Sequence, residues 1–409
     1  MVRNRLISFE VSALRDGRWT IEAVLENEAA ALLNARQRLS DGRADEVKVV
    51  RLRAMPDGFT TRTEVLAERR SAGAGRPIVV TGPVDAAPPC ETLDDLYGLS
   101  GRRLMARLLR RFVETYQVTP TEILHNWTWA RKLSDTGNLV QGAIHQVAAA
   151  QVARTGGDLR ERVAAVERLV AQAMVRARDF AAAQHRLPRF DAGGPVEASR
   201  RILGAARPDD VPDDAYDFTF LALLSVHLLR ANSLVARQEI VLDMIGEDPD
   251  PGSDSRLVRL LEGVVADTLG SADMVKDLLG PHPHLGASLV SLAGLVRGRA
   301  DAAGPTPALV RIGRLIGSGR GEACRAVLLD RLLAELGRDT PLDRRDPGQD
   351  DVLLDRIVEN MRDDAGGLIG GAGAEAAISR RRLRRQQAVL RGLGLVEQAD
   401  QLPAHWPPA

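Results

Sequence analysis

The stretch "LISFEVSAL" alternates apolar and polar residues, breaks at "RDGR" (Arg15–Arg18), and resumes alternating in "WTIEAVL". An Asp-Gly pair between two alternating runs matches the twist of a tight hairpin, so the chain must begin with two antiparallel strands. "NEAAALLNARQRLSDG" follows, with Asn27 able to cap a first helical turn and Gly42 placed to end the helix. "EVKVVRLRAM", a turn at Pro56–Gly58 and "FTTRTEVLAER" make a second hairpin. The order ββαββ predicts a four-stranded antiparallel sheet with one face covered by the helix through Leu32, Leu33, Ala35 and Leu39, against every second strand residue.

After about Glu91 the apolar period changes from two to three and four, which is helical spacing. Only 3% of the residues are aromatic while 44% are hydrophobic, so the core must be made of Leu, Val, Ala and Ile, which suits packed helices. The pattern predicts a mainly α protein with a small N-terminal α+β domain. The ββαββ module occupies residues 1–70, and a Gly/Ala/Pro-rich linker with one short strand in "PIVVTG" runs over 71–90. An all-α domain, a large irregular helical bundle or array, fills 91–409, with a division into two subdomains considered near 247–253 or 300–306. No fixed-period repeat favours a solenoid.

Within that domain "GRRLMARLLRRFVETYQ" is expected to put Leu104, Leu108 and Phe112 on one face and arginines opposite. "TPTE" (Thr119–Glu122) has the residues of a capping box with proline in the first turn. Residues 213–246, apolar nearly all round, are expected to form one central helix, with further helices at 195–206, 350–363 and 375–392 among others.

Acidic and basic residues balance at 55 each, so the whole molecule has no net field to attract nucleic acid or an anionic membrane. Two cysteines, Cys90 and Cys324, form neither a disulfide framework nor a metal motif. The first residues read as strand rather than secretory leader, and "FTFLALLSVHLL" is too short to span a bilayer. The expected place is the cytoplasm, with no membrane partner.

Residues 366–387, "GGLIGGAGAEAAISRRRLRRQQ", hold Gly371, Gly373 and Ala376 in the spacing of a dinucleotide turn. The residues before them have helical spacing, so no strand delivers the chain to the turn, and a glycine hinge before a helix is the reading adopted. "GSGRGEAC" lacks the Lys-Ser/Thr ending of a phosphate loop. His282 and His284 flank a proline, which denies them the i, i+4 geometry of a zinc helix and leaves a loop at a helix start. No cofactor and no metal are expected.

Two arginine groups remain, Arg102, Arg103, Arg107, Arg110 and Arg111, then Arg380, Arg381, Arg382, Arg384 and Arg385. Arginine at helical spacing can track phosphates, or meet an acidic protein partner. "HNWTWARKLSDTGN" places His125 and Trp129 four apart on an expected common helix face, and with His145 they are the candidates for a ligand pocket. The leading expectation is a non-enzymatic adaptor or regulatory protein that binds protein partners, among them copies of itself through the hairpin edges. A nucleic-acid binder using the arginine faces, and a small-ligand sensor or enzyme using the His125 region, are the alternatives.

Overall fold

A computed structural model describes residues 7–15, 18–40, 44, 46–54, 60–69, 80, 84, 87–186, 213–246, 255–300 and 306–402. The chain divides into two compact units, 1–77 and 78–409.

In the first unit the alternating runs form antiparallel strand pairs. β1 (Ile7–Arg15) pairs antiparallel with β2 (Arg18–Leu25) up to Arg15 opposite Arg18. β3 (Glu46–Ala54) pairs with both β1 and β4 (Thr60–Arg69), giving the order β2-β1-β3-β4. Asp16, Gly17, Gly42 and Pro56–Gly58 lie outside the described residues. α1 (Glu28–Ser40) starts where Asn27 Oδ1 accepts the Ala30 N–H at 3.0 Å. Its Ala31 and Ala35 are fully buried against Phe9, Val11, Ala13, Val47 and Val49, with Leu32 packed at the side. Leu33, expected in that interface, is 69% exposed instead. Residues 31 and 35 already fill the helix stripe four apart, and two small alanines let the helix lie close to the sheet.

Among its described residues the second unit is helical from residue 93 onward: α2 (Leu93–Tyr97), α3 (Leu99–Leu108), α4 (Arg110–Tyr116), α5 (Pro120–His125), α6 (Trp127–Ser134), α7 (Leu139–Thr155) and α8 (Leu159–Ala183) come first. Then follow α9 (Asp213–Leu228), α10 (Leu234–Ile245), α11 (Ser255–Leu269), α12 (Ala272–Leu279), α13 (Leu285–Val296), α14 (Pro307–Gly317), α15 (Glu322–Leu336), α16 (Asp350–Asn360), α17 (Gly371–Gly392) and α18 (Val396–Gln401). The main core runs from Tyr216 to Ile378, across both 247–253 and 300–306. A smaller core gathers Leu108, Leu109, Phe112, Val113 and Leu139, with Val80 and Val84 of the linker packed on it. Of "PIVVTG" only Val80 is described, and the expected helix at 195–206 falls outside the described residues.

Two expected helices are broken. The arginine-striped segment divides at Leu109, whose backbone (φ −97°, ψ 21°) leaves the helical region. The central segment 213–246 divides between Leu228 and Leu234, because Ser233 caps a new helix through Ala236 N–H and Gln117 Oε1 accepts the N–H of Leu234. A side chain from elsewhere in the fold satisfies a donor that a continuous helix would have bonded internally. Gly371 and Gly373 belong to the first turn of α17, with Gly370 (φ 95°) as its cap. The segment ahead is α16 and a turn, so helix, not strand, leads to these glycines.

Gly298 fixes the approach of two helix ends. Its φ is +89°, and a Cβ there would stand 2.6 Å from the Gly317 backbone. Gly298→Ala is expected to lower stability by about 2 kcal/mol through strain and overlap. An unchanged urea midpoint would show that the two ends can separate freely.

Candidate functional site

α5 is one turn and a half long, yet all six of its side chains are buried, glutamate and histidine included. Such burial is tolerated only when each polar group finds a partner. The capping box forms as its residues require: Glu122 N–H donates to Thr119 Oγ1, and Thr119 N–H donates to Glu122 Oε2 at 2.9 Å. The same carboxylate accepts from Arg237 Nε of α10 at 3.0 Å. Arg237 Nη1 donates onward to the carbonyls of Ala231 and Ser233, at 2.7 and 3.3 Å, closing the break between α9 and α10. Burial pushes the Glu122 carboxyl up, opposed by Arg237 and the Thr119 donors.

One residue earlier, Thr121 donates its N–H and O–H to Asp267 Oδ2 of α11 at 2.9 and 2.6 Å. Arg102 of α3 donates to Thr121 Oγ1 and lies 3.4 Å from the same carboxylate. Gly263 of α11 makes room for this guanidinium, since a Cβ there would come within 2.8 Å of Arg102 Nη2. Burial raises the Asp267 carboxyl as well, against the pull of Arg102 and Thr121. Arg102 therefore does not stand on a solvated face. Its charge is compensated inside the unit, which is why it can be only 7% exposed.

His125 ends α5 with Nδ1 2.8 Å from the Thr121 carbonyl, so that nitrogen carries the proton. Its ring lies 5.0 Å from Tyr97 and 5.1 Å from Phe218. Burial drives its pKa down to about 3, with Arg102 and Arg176 adding to the effect against the Thr121 carbonyl. A neutral imidazole with so low a pKa is a weak base near neutrality. The expected common face with Trp129 is absent because the chain leaves the helix at Asn126 (φ −116°, ψ 116°). Trp129 instead joins Tyr116, at 6.1 Å, with the Lys132 ammonium 3.7 Å from the Tyr116 ring centre. His145 is exposed on α7. The three candidates thus stand in three different surroundings.

The buried Cys324 donates its N–H to Glu262 Oε1 at 2.6 Å, and burial with the neighbouring carboxylate pushes its thiol well up. Burial also raises the Cys90 thiol. Neither cysteine has the lowered pKa of a nucleophile. His284 caps α13 through the Ala287 N–H at 3.1 Å, and His282 sits between Gly280 O and Ser291 Oγ, so both belong to a helix start. Among the described residues no group of three or more His, Cys, Asp or Glu is arranged to hold a metal ion.

The arginine groups are extensively paired. Arg103 meets Asp330, and Arg110 meets Glu114 at 2.7 Å. On α17, Arg381 is buried against Asp350 at 3.0 Å and donates to the carbonyls of Arg338 and Thr340. Arg382, Arg384 and Arg385 pair with Asp355, Asp339 and Asp351 at 2.9, 2.9 and 3.2 Å. Arg107, Arg111 and Arg380 are exposed. Along α8 an open hollow of about 700 Å³ is lined by Arg168, Gln172, Arg176, Phe180 and Phe218, with the Arg176 guanidinium 4.3 Å from the Phe218 ring centre.

The first unit holds a surface that the spacing of residues alone misplaces. Strict alternation sends Trp19, Ile21, Ala23 and Leu25 to one side of β2. In the structure Val11 pairs with Ala23, but the next residue, Ser12, pairs with Ile21, so Glu22 is an inserted bulge residue. Glu22 bonds Arg38 of α1 at 2.7 Å, which holds the bulge on the helix side. Ala23 and Leu25 then pack on the core, while Trp19, Ile21 and Val24 are 44%, 62% and 59% exposed. They share the face away from α1 with Leu14, Val50 and Leu52, and with the polar Glu10, Ser12 and Lys48 between them; the Lys48 ammonium stands 5.4 Å from the Trp19 ring centre and 3.1 Å from Glu64. A visible sign was "AVL" at Ala23–Leu25, three apolar residues where alternation requires a polar one. β4 carries a second bulge at Val65, between the pairs Val49 with Leu66 and Val50 with Glu64.

No family model, curated protein or solved structure matches the chain. No helix among the described residues is long and apolar enough to cross a membrane.

Proposed function

We propose that this is a non-enzymatic adaptor or regulatory protein whose first unit binds a protein partner through the uncovered sheet face. The observation that carries the reading is the exposure of Trp19, Ile21 and Val24 side by side on that face. Aromatic and branched apolar residues grouped in solvent are costly for a monomer and typical of the centre of an interface. The edges, expected to accept a strand, are poorer candidates: each outer strand has a bulge that interrupts the ladder and twists the edge away. The polar network around α5 supports the non-enzymatic part of the reading, since its charged groups bond one another inside the unit.

Affinity capture from the native source, with the wild-type chain and the Ile21→Asp variant side by side, tests this. One specific protein is expected on the wild type and absent from the variant, with at least a tenfold loss of binding. Equal recovery by both, or recovery of nothing specific, would count against the face.

The nucleic-acid alternative draws on Arg107, Arg111 and Arg380, and most of its other arginines are already engaged by carboxylates. The sensor alternative draws on the hollow along α8, where a guanidinium on an aromatic ring suits a flat anionic ligand. Thermal shift against aromatic carboxylates and phosphates is its test, and a stabilisation that disappears in Arg168→Glu would support it.

A further inference from the structure

We infer that the hollow along α8 takes a planar aromatic monocarboxylate, its ring on the side of Phe180 and Phe218 and its carboxylate on Arg168; this deepens the sensor reading of the same hollow and rests on it. Arg168, Gln172 and Arg176 follow one another four residues apart on α8, so their side chains form one ridge. A hollow opens on each side of that ridge. The one of about 700 Å³ has Ala171, Val175, Phe180 and Phe218 in its wall, and the other, of about 520 Å³, runs to Glu91, Thr92 and Asp94. Both fall in the size range of small-molecule sites, and their unlike walls call for a ligand with an apolar body and a polar end.

The apolar body is aromatic because rings gather on that side. Only 3% of the chain is aromatic, yet Phe180 and Phe218 meet edge to face at 6.0 Å, with Tyr97 5.7 Å from Phe218. The Arg176 guanidinium lies 4.3 Å from the Phe218 ring centre and 5.7 Å from that of Tyr97, which makes it part of the same floor. A flat ring laid there stacks on both phenyl and guanidinium. Val175, 45% exposed, borders this floor.

Charge selects the polar end. Arg168 is exposed and no carboxylate pairs with it among the described residues, and Gln172 offers amide donors beside it. Three acids also border the hollows. Glu91 is held by Arg162 at 2.7 Å and Asp179 by Arg178 at 3.0 Å, while Asp94 has no countercharge among the described residues. Beside these acids a phosphate dianion meets twice the repulsion that a single carboxylate meets. A carboxylate also has the planar fork that a guanidinium grips with two hydrogen bonds.

The experiment is isothermal titration calorimetry on the full chain, with naphthoate, naphthyl phosphate and acetate as probes and Arg168→Gln, Val175→Asp and Arg160→Gln as variants. Arg160 is exposed on α8 about two turns before Arg168 and lines neither hollow, so its variant removes the same charge elsewhere. Naphthoate is expected to bind the wild type and Arg160→Gln equally and saturably, naphthyl phosphate more weakly, and acetate, which has the charge without the ring, not at all. Arg168→Gln and Val175→Asp are expected to weaken naphthoate by about tenfold or more, with their thermal midpoints kept. A wild-type chain that does not bind naphthoate, that binds naphthyl phosphate as tightly, or whose naphthoate binding survives either hollow variant overturns the inference. Two outcomes separate it from the sensor reading. If naphthyl phosphate binds more tightly than naphthoate and Arg168→Gln loses it, the carboxylate assignment fails and the sensor reading stands. If no probe binds, or binding is untouched by both hollow variants, both fail.

Discussion

Arg237→Ala is expected to destabilise the helical unit by about 3–5 kcal/mol, read as a lower urea midpoint with an unchanged slope. Arg237 and Glu122 are 3% and 0% exposed in their side chains, and removal of the guanidinium leaves a carboxylate enclosed without its countercharge. The carbonyls of Ala231 and Ser233 lose a donor at the same time. Glu122→Gln with Arg237→Met should recover much of the loss, because no unpaired charge remains and the volumes are similar. A decrease below about 1 kcal/mol in Arg237→Ala would mean that water reaches Glu122, and the description of α5 as enclosed would be wrong.

The second large effect is a loss of stability in acid that belongs to His125. In the unfolded chain this imidazole takes up a proton near 6.5, whereas in the fold it does so only near 3. Below pH 6.5 the unfolded chain thus binds more protons at this site. The stability His125 contributes is complete above 6.5 and declines by about 1.4 kcal/mol per pH unit as the pH falls toward 3. Between pH 7 and 4.5 the decline amounts to about 3 kcal/mol. Glu122 and Asp267 act in the opposite direction, since their raised pKa values let the folded chain take up protons earlier. The His125 share is therefore measured as a difference, wild type minus His125→Asn, in unfolding free energy at each pH. His125→Asn should be less stable at pH 7 and lose less on acidification. Parallel curves for the two chains would mean that His125 is solvated.

Much of the architecture was legible in the residues. The Asp-Gly turn, the period-two runs and Asn27 led to the ββαββ order, and Thr119-Pro120-Thr121-Glu122 marked a helix start that the structure has. Those signals are local: a turn, a cap or a period depends on residues within one or two turns of each other. Segment 213–246 was misjudged for the opposite reason. Its apolar continuity suits one helix or two equally, and the break is decided by Gln117, Ser233 and Arg237, one of them more than a hundred positions away. Arg102 shows the same limit. On a helix among other arginines it looks solvated, and only Asp267 and Thr121, brought up by α11 and α5, make its burial tolerable.

The candidate face was half legible. Trp19, Ile21 and Val24 are plainly strand residues, but which side they take depends on where one extra residue enters the ladder. A single insertion reverses the side of every residue beyond it, because side chains alternate with a period of two. The run Ala23–Leu25 permits that insertion, and the ion pair of Glu22 with Arg38 of α1 selects its place. By itself, then, the sequence determined which segments are strand and which are helix, where most helices start, and that the core is aliphatic. The tertiary structure alone decided which charges are buried, where two helices break, and which side of the sheet was left open, since each of these is settled by groups distant along the chain whose meeting no local period records.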